Sequence, residues 1–341
     1  MPRMQPLVLC GAAFLGLALG TGAASAEDKT FDLKMSHWVP TTIPLHKAIE
    51  EWGADVEKAS GGTIKYKVFP SQQLGKAFDH YDMARDGIAD FTYINPGYQP
   101  GRFPIIAAGE LPFLIGDAHG GSRAIDSWYR KYAATEMKDV HFCFAFVLDP
   151  LTFHSRTKKI VLPEDIRGTK VRPADATIGS FVTLLGGTNV QASAPEARET
   201  LERGVADAIT FPWQSTILFG IDKVVKYDMD MPFATTTFVW VMNKPKYDAM
   251  SPAQKAVIDS HCTTEWAEKV ASPWADWENA GRARIAAEAG HDVYKLTPEQ
   301  VAAWRKAAEP LKAKWAAQVK DSDAVFGELQ AELNKRGALA E

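Results

Sequence analysis

The chain has 341 residues, with 38 lysines and arginines against 42 aspartates and glutamates. This slightly acidic balance argues against a nucleic-acid partner, and the length is enough for about two domains that each bury a core. Beyond the first 26 residues, no segment has the length and apolarity of a membrane helix, so we expect a soluble mature protein.

The first 26 residues have the features of a secretory signal peptide. Arg3 gives a short positive start, residues 7–19 form an apolar run, and residues 24–26 are a small-residue cleavage site. The apolar run is too short to cross a bilayer. We therefore expect the mature protein to begin at Glu27 and to work outside the cytoplasm.

Two cysteines remain after the predicted cleavage, Cys143 and Cys262. In an oxidising compartment this pair either forms one bridge or stays as two buried thiols. Two cysteines so far apart indicate neither a disulfide framework nor CxxC chemistry. The sequence leaves their state open.

Strand-like and helix-like segments alternate along the first half of the chain. Strands are predicted over 31–35, 63–69 and 89–94, and helices over 45–59 and 77–85. This order is βαβαβ, which under the connection rules for open sheets gives a parallel sheet.

The second half repeats the same order. Strands are predicted over 168–172, 188–191 and 206–211. Helices are predicted over 178–185 and from a capping box at 193–196 through 200–203. In both halves the second helix ends at a glycine turn that is followed by an aspartate and a strand. The repeat predicts an α/β protein with two lobes of similar topology.

Two further apolar runs, over 142–153 and 237–242, are placed to carry the chain between the lobes. Helices dominate after Asn243, where Ser251 and Thr297 each begin a capping box with proline in the first turn.

These segments predict the extent of each lobe. Lobe one is expected to contain residues 27–150 and 238–275. Lobe two is expected to contain residues 151–237 and 276–341, including the C-terminal helices.

Ligands of open α/β sheets bind beyond the carboxyl ends of the strands. The residues at these positions are one cation, several aromatic side chains and a few neutral polar groups: Arg172, Trp213, Phe211, Asn95, Tyr93, His37, Trp38, Phe153 and Thr152. The sequence contains no HExxH, GxSxG, P-loop or helix-opening GxGxxG motif. We therefore predict a binding site without a metal, a cofactor or catalytic residues.

Arg172 is the most specific candidate among these residues. It ends a short strand in the sequence GTKVRPAD, is followed by Pro173 and precedes a predicted helix. A guanidinium matches a carboxylate with two parallel hydrogen bonds, and a helix start favours anions. The alternative interpretation is an ordinary solvated arginine on the surface.

Several short motifs resemble the solute receptors of TRAP (tripartite ATP-independent periplasmic) transporters. They are SHWVP (36–40), FPSQQLG (69–75), GIAD (87–90), YQPGRFP (98–104), LPF (111–113), PEDIRGTKVR (163–172) and GVAD (204–207). Each motif is weak alone, and the resemblance rests on their order, which extends from residue 33 to about residue 260.

The resemblance implies a periplasmic binding protein of the flytrap type, with two lobes, hinge-crossing strands and C-terminal helices. It also implies that Arg172 pairs with the carboxylate of an organic acid, and that the partners are the small and large membrane subunits of a TRAP transporter. Some relatives have a second basic residue on the crossing strand, where this chain has residues 152–154 (TFH). Some have polar residues where this chain has 211–213 (FPW).

These departures disfavour a dicarboxylate or a sugar acid. We hypothesise a monocarboxylate with an apolar or aromatic tail, such as an aryl or branched 2-oxo or 2-hydroxy acid. The alternatives are a stand-alone binding protein that feeds a sensor and a periplasmic enzyme on the same fold, although no catalytic set is evident. Monomer and homodimer both remain open, as does a metal ion bridging ligand and protein.

Overall fold

The computed structural model describes residues 1–2 and 29–340, and the signal-peptide prediction falls almost entirely outside these residues. The described segment contains a five-stranded sheet and a six-stranded sheet with helices packed around them. We call the part of the chain built on the five-stranded sheet the first lobe and the part built on the six-stranded sheet the second lobe.

The first lobe begins with β1 (Phe31–Ser36), α1 (Pro44–Ala59), β2 (Ile64–Phe69), α2 (His80–Arg85) and β3 (Phe91–Ile94). β1 lies between β2 and β3 and is parallel to both. The predicted βαβαβ order and its parallel sheet are confirmed.

Helix α1 shows why these segments pack as they do. Its buried residues include Leu45, Ile49, Trp52 and Val56, which recur at intervals of three or four along the helix. This spacing gives one apolar stripe that covers the sheet, while the charged residues between them face solvent.

The chain leaves the first lobe after α3 (Ala118–Glu136) and β4 (Val140–Val147). β4 belongs to the five-stranded sheet, whereas the next strand, β5 (Thr152–Ser155), belongs to the six-stranded sheet. The run predicted to cross between the lobes therefore does so.

The second lobe continues with β6 (Lys170–Arg172), α4 (Ala176–Leu184), β7 (Thr188–Asn189), α5 (Ala197–Glu202) and β8 (Ala208–Phe211). β6 is parallel to both β7 and β8. This is the same local topology as in the first lobe, as the sequence repeat predicts.

The return crossing follows α6 (Trp213–Leu218) and β9 (Tyr227–Met229). The next strand, β10 (Thr237–Asn243), lies between β3 and β4 in the first sheet and is antiparallel to both. Leu151 and Ala234 form a bridge between the two crossing segments, so the crossings are held together where the lobes meet.

Five further elements follow the return crossing. They are α7 (Lys244–Asp248), α8 (Pro252–His261), α9 (Thr264–Glu278), α10 (Gly281–Ala287) and β11 (Asp292–Tyr294). α9 packs on α1, α3 and β4 of the first lobe and also contacts α6 of the second lobe. It is therefore a third connection between the lobes.

The two C-terminal helices are α11 (Pro298–Ala316) and α12 (Ser322–Lys335). α11 packs on α4 of the second lobe, whereas α12 packs on α3 of the first lobe, where Trp128 donates its indole hydrogen to the Val325 carbonyl at 2.9 Å. The residue boundaries of the lobes stay a prediction.

The structure shows whether the two cysteines are bonded, which the sequence does not. Cys143 of β4 and Cys262, just after α8, form a disulfide within the first lobe. Between residues 29 and 340, no helix is long and apolar enough to cross a membrane.

Candidate ligand-binding site

A cavity lies between the two lobes beyond the carboxyl ends of their parallel strands. Its volume is about 30 Å³, and about 380 Å³ of space is free of protein atoms when the opening to solvent is included. Side chains of both lobes line it, among them Trp38, Asn95, Tyr98 and Phe238 from the first lobe and Arg172, Phe211, Ser215 and Phe219 from the second.

Arg172 is the last residue of β6 and is fully buried. Its Nε donates a hydrogen bond to the Ala192 carbonyl at 2.8 Å, and its Nη2 donates to the Tyr98 hydroxyl at 3.2 Å. Its Nη1 has no hydrogen-bond partner. The guanidinium carbon lies 5.5 Å from the centre of the Phe211 ring.

Among the described residues, no carboxylate is paired directly with Arg172, although Asp175 and Glu196 lie near enough for its charge to act to lower their pKa values. Buried arginines are normally paired, because an isolated charge in a medium of low polarity is costly. Within residues 29–340, no carboxylate forms an ion pair with Arg172, and its neighbours are a carbonyl, a phenol and a ring. The free Nη1 can therefore donate to an anion in the cavity.

Tyr98 joins the two lobes at the guanidinium. It ends a short 3-10 turn, Pro96–Tyr98, that follows β3. Its hydroxyl oxygen accepts from Arg172 Nη2 and from the Ala194 backbone N–H at 2.9 Å. The hydroxyl hydrogen remains available to donate, so Tyr98 and Arg172 are two donors for one carboxylate.

The rest of the cavity is largely aromatic. Trp38, Phe238 and Trp274 form a cluster of tilted rings, in which the Phe238 ring lies 6.4 Å from Trp38 and 5.7 Å from Trp274. On the second lobe, Phe211 and Phe219 meet edge to face at 5.6 Å. These rings provide an apolar surface on both sides of the space next to Arg172.

Four of the residues predicted from the sequence line this cavity: Trp38, Asn95, Arg172 and Phe211. The Asn95 side-chain amide also donates to the Ala174 carbonyl at 3.2 Å and so links the lobes. Tyr93 lies behind the cavity, fully buried between Trp38 and Phe238.

Two predicted residues lie in the interior of the second lobe. The Thr152 hydroxyl donates to the Met229 carbonyl. The Phe153 ring stacks on Phe233 at 5.0 Å and packs against Trp304 at 5.4 Å. Both are fully buried, and neither lines the cavity.

His37 and Trp213 also have partners outside the cavity. His37 Nε2 lies 2.9 Å from His46 Nδ1, and burial is the main cause that lowers the pKa of His37 to about 3. The Trp213 ring packs edge-on against His154 at 5.0 Å. Its neighbours in sequence, Pro212 and Ser215, line the cavity instead.

The sequence prediction missed several lining residues, among them Tyr98, Ser215, Phe219, Thr236 and Trp274. The sequence does contain a feature that indicates Tyr98 as a lining residue, because Tyr98 follows the third strand and begins the YQPGRFP motif. Trp274 is held by Glu278, which accepts from the Trp274 indole at 3.0 Å and from the Ser215 backbone N–H at 3.0 Å. No local pattern indicates this arrangement.

Two buried carboxyls lie where the lobes meet. Glu110 of the first lobe accepts a hydrogen bond from Thr177 of the second at 2.8 Å, and burial raises its pKa well above the ordinary value. Asp175 caps α4 through the Ile178 N–H, and burial raises its pKa to about 7 against the opposing effects of that bond and of Arg172.

Comparison with known proteins identifies the family. Residues 35–318 match the family described as "Bacterial extracellular solute-binding protein, family 7", and the chain belongs to it. A solute-binding protein of Albidiferax ferrireducens is 26% identical over 325 residues, which cover 90% of this chain and 92% of that one.

Solved structures agree with this assignment. A TRAP solute-binding protein of Rhodoferax ferrireducens, in complex with copurified benzoate, is 25% identical with a TM-score of 0.84, over 90% of this chain and 99% of that one. A marine metagenome TRAP solute-binding protein specific for aromatic acid ligands, with 3-hydroxybenzoate, is 28% identical with a TM-score of 0.83 at the same coverage. The protein is a two-lobed TRAP solute-binding receptor.

Proposed function

We propose that this receptor captures a monocarboxylate with an aromatic or otherwise apolar tail. The single observation that carries the proposal is the free Nη1 of Arg172, a buried cation with an unused donor facing an aromatic cavity. Arg172 Nη1 and the Tyr98 hydroxyl hold the carboxylate, and Asn95 lies beside it.

The composition of the cavity wall supports one charged group on the ligand. Of the lining residues in the described part of the chain, Arg172 alone is charged. A second carboxylate would be buried without a cation, at a cost of several kcal/mol. An aromatic ring packs instead against Phe211, Phe238 and Trp274, where ring pairs add about 1 kcal/mol beyond area burial.

The relatives support the same class of ligand. The Rhodoferax ferrireducens protein was solved with benzoate and the marine metagenome protein with 3-hydroxybenzoate. Both are single-ring monocarboxylates. A dissociation constant of about 1 μM, or roughly −8 kcal/mol, is within reach of one charge-assisted pair and one buried ring.

We further propose that the receptor works in the periplasm and delivers the acid to the membrane subunits of a TRAP transporter without transforming it. Uptake of radiolabelled benzoate by vesicles that contain these subunits tests delivery: uptake should require the receptor. Recovery of the bound acid with its mass changed would instead indicate catalysis.

A thermal-shift screen with matched acids tests the ligand class. The panel is benzoate, 3-hydroxybenzoate and mandelate, with benzamide as the uncharged control and succinate and glucuronate as acids of other classes. We expect the aromatic monocarboxylates to raise the melting temperature and the other compounds to leave it unchanged. Stabilisation by succinate or glucuronate but by none of the aromatic acids would contradict the proposal.

A further inference from the structure

A buried imidazole lies beneath the second-lobe side of the cavity. His154 is the third residue of β5, and its side chain has no exposed surface. Nδ1 lies 2.7 Å from Asp228 Oδ1. Nε2 lies 3.2 Å from the Phe211 carbonyl oxygen and 3.4 Å from Thr216 Oγ1.

Each of these partners is a hydrogen-bond acceptor. A carbonyl oxygen has no hydrogen to give, and the Thr216 hydroxyl already donates its own to the Pro212 carbonyl at 2.7 Å. Burial acts to raise the pKa of Asp228, but the hydrogen bonds from His154 and His291 outweigh it and hold that pKa below its ordinary value. Asp228 is therefore a carboxylate, which only accepts.

This set of partners decides the protonation of His154. A neutral imidazole has one N–H and would direct the lone pair of its other nitrogen at an oxygen. With acceptors at both nitrogens, both N–H groups are needed. The geometry thus favours the imidazolium form in a site where burial alone would disfavour it.

The surrounding titratable groups are few. Besides Asp228 on β9, they are His291 before β11, which donates to the second Asp228 oxygen at 2.7 Å, Tyr294 on β11 and Glu288 at the end of α10. The residues that face His154 from β8 and α6 are Phe211, Trp213 and Thr216, and none of them titrates.

We propose that His154 is a positioning residue: an imidazolium that donates from both ring nitrogens and fixes the turn Phe211–Trp213. Through this turn it fixes the second-lobe wall against which the acid's tail packs. It acts through the Phe211 carbonyl and the Trp213 ring and does not touch the ligand. The role in ligand packing rests on the proposed function, whereas the protonation state and the fixed turn do not.

Nuclear magnetic resonance of protein labelled with ¹⁵N-histidine tests the protonation state in the unmodified receptor. We expect His154 to show two ring N–H signals at neutral pH, because both ring nitrogens face acceptors. A single N–H signal would overturn the proposal.

Two matched variants test the positioning role, because both histidines bond Asp228 but only His154 contacts the Phe211 carbonyl. We expect His154→Gln to weaken benzoate binding about tenfold and His291→Gln to change it less than about twofold. Equal effects of the two substitutions, or an unchanged affinity in His154→Gln, would overturn the role.

A third readout needs no ligand. In protein labelled with 5-fluorotryptophan, the ¹⁹F signal of Trp213, assigned by its loss in Trp213→Phe, should shift and broaden in His154→Gln. An unchanged signal would overturn the fixed turn even if benzoate failed to bind the wild type. Failure of benzoate to bind the wild-type receptor would count against the proposed function and not against the role of His154 in fixing the turn.

Discussion

The two lobes contribute different chemistry to one cavity. The first lobe supplies a cluster of tilted rings from Trp38, Phe238 and Trp274, which are distant in sequence. The second lobe supplies the cation, Arg172, held by its own lobe through the Ala192 carbonyl. Tyr98 is the polar residue of the first lobe that reaches Arg172.

This difference assigns separate roles to the lobes. A buried cation with a free donor gives orientation, because it accepts one end of the ligand only. The rings give affinity through buried area but little orientation of their own. The following predictions test this division, from the largest expected effect to the smallest.

Arg172→Ala should weaken binding of benzoate about 100-fold. Removing one partner of a buried charge pair costs about 3 kcal/mol, or roughly 100-fold in affinity. Titration calorimetry measures the loss. The control is Arg198→Ala, since Arg198 is half exposed and pairs with Glu202 on the surface of α5. Binding of the Arg172 variant with near wild-type affinity would remove the cation from its role.

Tyr98→Phe should have the next largest effect. It removes a donor for the carboxylate and leaves Arg172 Nη2 and the Ala194 N–H without their acceptor. We expect about tenfold weaker benzoate binding, or about 1.4 kcal/mol, because unsatisfied buried groups carry a desolvation penalty. Calorimetry with benzoate measures the loss, and an unchanged affinity would contradict the role of the Tyr98 hydroxyl.

Phe211→Leu tests the second-lobe contribution to the tail. We expect about fivefold weaker binding of benzoate, near 1 kcal/mol for one lost ring contact, with less effect on cyclohexanecarboxylate. Phe153→Leu is the matched control: it should lower the free energy of unfolding by about 1 kcal/mol and leave affinity unchanged. A larger loss of benzoate affinity in Phe153→Leu than in Phe211→Leu would contradict the placement of Phe211 at the cavity and of Phe153 in the interior of the lobe.

Phe153 and Phe211 differ in a property that the sequence does not predict, the register between β5 and β8. β5 and β8 are antiparallel, and Phe153 lies opposite Thr210 while Phe211 lies opposite Thr152. Directly opposite residues share a face and neighbours alternate, so Phe153 and Phe211 project to opposite faces of the sheet. A shift of one residue decides which ring meets the cavity, and the sequence alone does not define this register.

Other features of the fold and of the site could be predicted from the sequence. The βαβαβ order predicted the three parallel strands in each sheet, because handedness and connection rules leave few alternatives. The position of Arg172 at the cavity could be predicted because ligands bind beyond the carboxyl ends of such strands. Trp274 and Ser215 could not be predicted as lining residues. Their positions depend on Glu278, which joins α9 to α6 across about 60 residues of sequence.

The smallest predicted effect concerns pH. The pKa of Asp175 is raised to about 7 by burial where the lobes meet. A carboxyl with a raised pKa stabilises the folded state fully below its unfolded pKa, near 4, and this contribution is lost as the pH rises through about 7. The contribution of Asp175 to the free energy of unfolding should therefore fall between about pH 5 and pH 8, by an amount on the order of 1 kcal/mol.

Asp175→Asn isolates this contribution, because asparagine also caps helices and preserves the start of α4. Chemical denaturation of both proteins at the two pH values gives the difference. We expect a flatter pH dependence in the variant. Identical profiles would show that the Asp175 carboxyl is ionised in the folded protein at both pH values.

The central claim is that one buried cation and an aromatic wall select aromatic monocarboxylates. Native mass spectrometry of the receptor in an equimolar mixture of benzoate, 3-hydroxybenzoate, mandelate, succinate and glucuronate tests it in one competition, since the mass identifies the bound acid. The account predicts a one-to-one complex with an aromatic acid, and its absence in Arg172→Ala. Predominant binding of succinate or glucuronate would contradict it.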